Sequence, residues 1–236
     1  MPRNEDLDRL VTLAEAVADR EGWEVFAAYL TLRGRGRRVE ALRALDTFLN
    51  SAENWPFAER QSLLLWLTVD NAVGLFDNLL IPQPLWRRVV APTASEWLAR
   101  EPGSAEANHL YAIYVAGAEE GAEPLAYLRQ AVRLDPAHQA ARTIFIHRAA
   151  GHAENAQHEL PFHGYLGVAR EDIRDLRDAL AMVEGVADPA LRAAFTPKLT
   201  ALLEAAEAWE AFQQAGDRTD FARWCAERGG PARMLP

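Results

Sequence analysis

The sequence predicts an all-α fold, and three observations carry that expectation. Alanine supplies 44 of the 236 residues, and with abundant leucine, arginine and glutamate this favours helix over strand. Apolar residues recur at spacings of three and four along almost the whole chain, and no alternating apolar–polar run marks a strand. Two stretches 34 residues apart also share a pattern of small, large and proline positions.

The elements follow in order. Leu7, Leu10, Val11, Ala14 and Val17 share one side of a first helix over about 5–19, and Trp23, Phe26, Ala27 and Leu30 one side of a second over about 22–32. The run RGRGRR (33–38) breaks the periodicity. A third helix follows with Ala41, Leu42, Leu45, Phe48 and Leu49. Trp55-Pro56 opens a fourth, expected to reach about residue 76. Pro82 and Pro84 interrupt the pattern, because proline lacks the N–H and crowds the preceding turn. A helix over about 84–100 carries Leu85, Val89 and Trp97. Ile173, Leu176, Leu180 and Val183 mark another over 169–183. Asp188-Pro189 reads as an N-cap with a first-turn proline. Thr196-Pro197 repeats that signal and is expected to start a fresh helix, which Gly216 ends. Phe221, Trp224 and Cys225 belong to a last short helix before the Gly229-Gly230-Pro231 tail.

Charge and composition narrow the function. The net charge of −9 argues against a general nucleic-acid binder. MPRNEDLDRL has no apolar core for a secretory signal, and no apolar run reaches the roughly 20 residues that cross a bilayer. The one cysteine, Cys225, excludes an intramolecular disulfide and a multi-thiol zinc site. A cytoplasmic protein, without a membrane partner, is expected. Lys198 is the lone lysine among 25 basic residues, read as the codon bias of a GC-rich, bacterial genome.

The 34-residue offset aligns LAREPGSAEANHLYAIYVAG (98–117) with VRLDPAHQAARTIFIHRAAG (132–151). Glu101 falls on Asp135, Pro102 on Pro136, Ala107 on Ala141, Leu110 on Ile144, Tyr111 on Phe145, and Ala116-Gly117 on Ala150-Gly151. On these residues the stretch 98–160 resembles the tetratricopeptide (TPR) repeat family. Tyr111-Ala112 takes the large–small pair of the first helix, Leu128 and Ala131 lie on the second, and Pro136 is the terminal proline. Asn108 stands where the family prefers tryptophan, and Pro124 where it prefers alanine, which moves the start of the second helix to about Pro124.

The resemblance implies antiparallel helical hairpins stacked as a right-handed TPR-like array, an α-α superhelix. One helical domain is then expected over 1–236: N-terminal helices 1–97, a TPR-like core 98–160, and a capping loop with C-terminal helices over 161–236. The loop AQHELPFHGYLGVA (156–169) falls where the offset would continue a second helix. Pro161, Gly164 and Gly167 end it instead, and Phe162, Tyr165 and Leu166 are expected to cover the last apolar face. The resemblance also implies an exposed concave groove presenting Glu106, His109, Ile113 and Ala116 from one unit and Ala140, Thr143, His147 and Ala150 from the next. Such a groove suits a protein or peptide partner.

Four features of the sequence bear on chemistry. His138, His147, His152, His158 and His163 lie close together in sequence, but in HELPFH the histidines are five apart with Pro161 between. Metal motifs on a helix need them four apart. Glu154, His158 and His163 remain an alternative ligand set for a metal-dependent hydrolase within 147–163, against an expectation of no metal and no cofactor. Arg33, Arg35, Arg37 and Arg38 could wrap an anion or RNA, yet no aromatic residue alternates with them and a solvated turn is the simpler reading. Cys225 has no histidine nearby in sequence and reads as a packed thiol. The seven tryptophans read as helix packing. The expected function is therefore non-catalytic binding of a protein or peptide, as an adaptor or a neutralising, immunity-type partner.

Overall fold

The computed structural model describes residues 4–70, 77–118, 123–160, 164–216 and 220–228. All regular elements among them are helical. They are α1 (Asn4–Val17), α2 (Glu24–Gly34), α3 (Arg38–Ala52), α4 (Phe57–Leu65), the short α5 (Asp77–Leu80) and α6 (Gln83–Leu85), α7 (Ala91–Arg100), α8 (Ala105–Tyr114), α9 (Pro124–Leu134), α10 (Gln139–Gln157), α11 (Ala169–Glu184), α12 (Pro189–Ala215) and α13 (Phe221–Arg228). Residues 71–76, the expected end of the fourth helix, lie outside the described residues. The chain divides into two compact units, Met1–Pro102 with Ile113–Ala122, and Gly103–Ala112 with Glu123–Pro236. The division runs through α8.

In the first unit α2 packs between α1 and α3. Its Phe26, Ala27, Tyr29 and Leu30 are all buried, and their rings join a nest with Trp23, Phe48 and Trp66. Rings meeting edge-to-face or offset add to the burial of their area. RGRGRR becomes the α2–α3 turn, and its glycines have separate structural causes. A Cβ on Gly34 would lie 2.6 Å from the Leu7 carbonyl oxygen and 2.7 Å from Val11 Cγ2, so α1 can approach only because that atom is missing. Gly36 has φ +75°, a left-handed conformation in which glycine carries no Cβ penalty.

Two stretches depart from the regular α ladder in this unit. Trp66–Asp70 and Trp86–Val90 are π-helical turns. At the second, the Ala91 N–H reaches back five residues to the Trp86 carbonyl. The cause sits next door in Pro92, which lacks an N–H and would press on the carbonyl four residues earlier in an α-helix. The wider turn makes room for it. The expected continuous helix over 84–100 is thus three consecutive pieces.

In the second unit α9, α10, α11 and α12 pack as sequence neighbours around Leu125, Leu128, Phe145, Ile146, Leu176, Leu199 and Leu202. Buried polar groups fasten the helix ends. The Arg142 guanidinium donates to the carbonyls of Met182, at 3.0 Å, and Pro136. It lies so close to Gly185 that a Cβ there would fall 2.5 Å from Nη1. Gln157 Nε2 donates to the Leu202 carbonyl at 2.8 Å. Arg129 bonds Asp175 and Asp178, each at 2.6 Å.

Asp188 caps α12 by accepting from the Ala190 N–H at 2.8 Å, and Gly216 ends the same helix at φ +60°. Thr196-Pro197 starts no new helix, for α12 runs through it from Pro189 to Ala215. The freed carbonyl belongs to Ala193, which faces solvent, and Leu191 and Phe195 before the proline pack on the same core as Leu199 and Leu202 after it. Tertiary packing on both sides outweighs the local break. Leu166, expected to cover the last apolar face, is 48% exposed, and Phe162 lies outside the described residues. Tyr165 stacks on Trp209 with ring centroids 6.3 Å apart. The apolar end of α12 is closed mainly by α13, whose Phe221, Trp224 and Cys225 pack with Ala205, Trp209 and Phe212.

Candidate functional site

Among the described residues, two arrangements bring chemically distinctive side chains together, one in each unit. The first is a cleft of about 500 Å³ lined by Glu21, Gly22, Trp23, Trp55, Glu59 and Ser62. The turn after α1 builds one wall. Trp23 N–H bonds the Arg20 carbonyl at 3.0 Å, and Gly22, at φ +81°, would place a Cβ 3.6 Å from Trp55 Cζ2. The α3–α4 connection and first turns of α4 supply the other wall. Trp55 is fixed by its Nε1–H donating to Ser51 Oγ at 3.2 Å and by an edge-to-face contact with Phe48 at 5.3 Å.

The cleft combines aromatic faces with negative charge. Glu21 and Glu59 bring two carboxylates, and neither has an ion-pair partner among the described residues. The neighbouring Arg60 pairs with Glu96 at 2.5 Å and donates from Nε to the Trp55 carbonyl at 3.1 Å. The Arg20 guanidinium already lies over Trp23, 4.8 Å from its ring centroid. Indole faces attract cations through their quadrupole, and nearby carboxylates add a Coulomb attraction of the same sign.

The second arrangement lies at the N-terminal ends of α8 and α10, where Glu106, His109 and His138 come together. Glu106 Oε1 is 3.1 Å from His109 Nδ1, and Oε2 is 3.0 Å from His138 Nε2. The two imidazoles meet edge to face at 4.7 Å. His138 is also the N-cap of α10, its Nδ1 accepting the Ala141 N–H at 3.2 Å. A ring nitrogen that accepts carries no proton, so Nε2 holds it and donates to Glu106. His109 is buried, and its Nε2 has no hydrogen-bond partner. Burial works to raise the Glu106 pKa, but the hydrogen bonds from His109 and His138 outweigh it and hold the carboxyl at about 2.

The residues read from sequence as a groove do not form one open face. His109, Ala116 and Ala150 are buried, which corrects the expectation that they are exposed. Glu106 is spent on two histidines, and Ile113 and Thr143 are half-buried. His147 is exposed, with its ring 4.5 Å from that of Phe195. Of the arginines, Arg37 pairs with Glu40 at 3.1 Å, Arg33 is half-buried, and Arg35 and Arg38 face solvent. Of the alternative metal set, Glu154 pairs with Lys198 at 2.9 Å, His158 pairs with Glu159 at 3.1 Å, and His163 lies outside the described residues. Cys225 is buried.

Sequence reasoning missed both arrangements. Glu59 stands four residues after Trp55, one helical turn on, but nothing local joins that pair to Glu21-Gly-Trp23. In the other unit, the 34-residue alignment sets His138 opposite Ser104, a capping residue, and that correspondence was the available signal. The chain matches no known family model, no curated protein and no solved structure.

Proposed function

We propose that this all-α protein is a non-catalytic binding module that receives a basic segment of a protein or peptide partner, with a lysine or arginine side chain seated in the Trp23–Trp55 cleft. The observation that carries this reading is the pairing, around one cavity, of two tryptophan rings with two carboxylates that have no ion-pair partner among the described residues. A cationic side chain gains there from the half-buried Trp55 ring and from the acids, beside a Trp23 ring that is buried and already carries Arg20. The net charge of −9 would steer such a partner toward the protein. Long helices joined by short connections, as between α9 and α10 or α11 and α12, support the TPR-like reading of stacked antiparallel hairpins. An adaptor or a neutralising partner in a bacterium fits this chemistry, and both roles need a binding surface and no reaction.

The test is a titration with a short arginine-rich peptide, followed by tryptophan emission at two salt concentrations. Saturable, salt-weakened binding that falls in Trp55→Ala and in Glu21→Gln/Glu59→Gln is expected. Equal binding of an acidic peptide, or binding that survives all three substitutions, would overturn the reading.

A further inference from the structure

We infer that Glu106, His109 and His138 form a binding site for a divalent transition-metal ion, with zinc as the reference ion. Among the described residues these three place one ligand atom each within 4.8 Å of one another. Two imidazoles and one carboxylate are ligands that zinc accepts, and a three-residue set leaves a further position for water or a ligand. With metal–ligand bonds of about 2.0–2.2 Å, neighbouring ligand atoms of a tetrahedral site stand roughly 3.4 Å apart. The separations of 3.1 and 3.0 Å, each to a different Glu106 oxygen, need a small opening to reach that value, and the remaining one, within 4.8 Å, is set by the approach of the two imidazoles.

The protons say which atoms would bind. As it stands, the carboxylate is held by two N–H groups, one on His109 Nδ1 and one on His138 Nε2, and an ion takes the place of both protons. His109 can give up its proton at little cost. Its side chain is 7% exposed and its Nε2 is buried without a partner. Moving the proton from Nδ1 to Nε2 therefore breaks no bond except the one the ion replaces. His138 is different. Its proton must move to Nδ1, where the Ala141 N–H now points, so the ion is bound at the expense of the α10 N-cap. Metal binding and the start of α10 are coupled, and the Ala141 amide reports on it. The site lies in the other unit from the proposed cleft and stands independently of it.

The experiment uses the full chain, stripped with a chelator and titrated with zinc alone against a chromophoric competitor. Saturable uptake of one ion per chain is expected, weakened by roughly 10–100-fold or more in Glu106→Gln. The pair His152→Ala/His158→Ala, which removes histidines outside the cluster, should leave affinity unchanged. Should Glu106→Gln fail to fold, imidazole and amide NMR of the unaltered protein decides: zinc should shift the ring nitrogens of His109 and His138 and the amide of Ala141. No saturable uptake would overturn the inference. So would uptake lost in the His152/His158 variant, or zinc shifts confined to other histidines.

Discussion

Ser104 and His138, 34 residues apart, do the same job at the starts of α8 and α10. Ser104 Oγ accepts the Ala107 N–H and His138 Nδ1 accepts the Ala141 N–H, each at 3.2 Å. Serine is a preferred cap because its short side chain reaches the third residue on. Histidine does so here while its other nitrogen donates to Glu106. In metal-free protein, His138→Ser should keep the cap and His138→Ala should lose it, and the two should differ by about 1 kcal/mol in urea unfolding. Equal stabilities would show that the cap contributes nothing.

The turn at 33–38 separates packing from charge. Gly34→Ala forces a Cβ against the Leu7 carbonyl and should destabilise by about 1–3 kcal/mol, as overpacking does. Arg35→Ala, at an exposed position, should change stability by no more than about 0.5 kcal/mol. Thermal unfolding of the two variants checks both, and a tolerated Gly34→Ala would contradict the close approach of α1.

Tyr29 makes alkaline stability a readout of the first core. Burial raises its pKa to about 12, although the nearby Arg33 opposes the shift, and its hydroxyl donates to the Leu79 carbonyl at 2.9 Å. A pKa raised on folding means that the folded state holds the proton more tightly. Its contribution is full below the unfolded value near 10 and is lost as pH rises from there to about 12, for a total on the order of 2–3 kcal/mol. Tyr29→Phe should flatten that part of the stability–pH curve relative to the unaltered protein. Parallel curves would place Tyr29 in a more polar setting.

Cys225 should be inert in the native state. Burial raises its thiol pKa, and thiolate, not thiol, is the reactive form. A colourimetric thiol reagent at neutral pH should react with it slowly in buffer and rapidly in denaturant. Fast reaction without denaturant would mean that α13 opens readily.

The helices were legible because an apolar stripe survives in the sequence wherever one helix face is buried, as Leu7, Leu10 and Ala14 show in α1. The breaks were less legible, since Pro92 and Pro197 carry the same local penalty and meet different outcomes. Pro92 is taken up by a π-turn, whereas Pro197 sits in a helix pinned on both sides. Repeat position alone does not say which face is covered, and His109, expected at the surface, is buried. Both candidate sites join residues more than 30 positions apart, Trp23 to Trp55 and Glu106 to His138, so no local motif announced them.

Charge inversion in the cleft tests the central claim most directly. Glu21→Lys/Glu59→Lys keeps the tryptophan walls and reverses the field between them. Calorimetric titration should show the arginine-rich peptide losing its affinity and an aspartate-rich peptide gaining one. Undiminished binding of the arginine-rich peptide to the inverted protein would contradict the account.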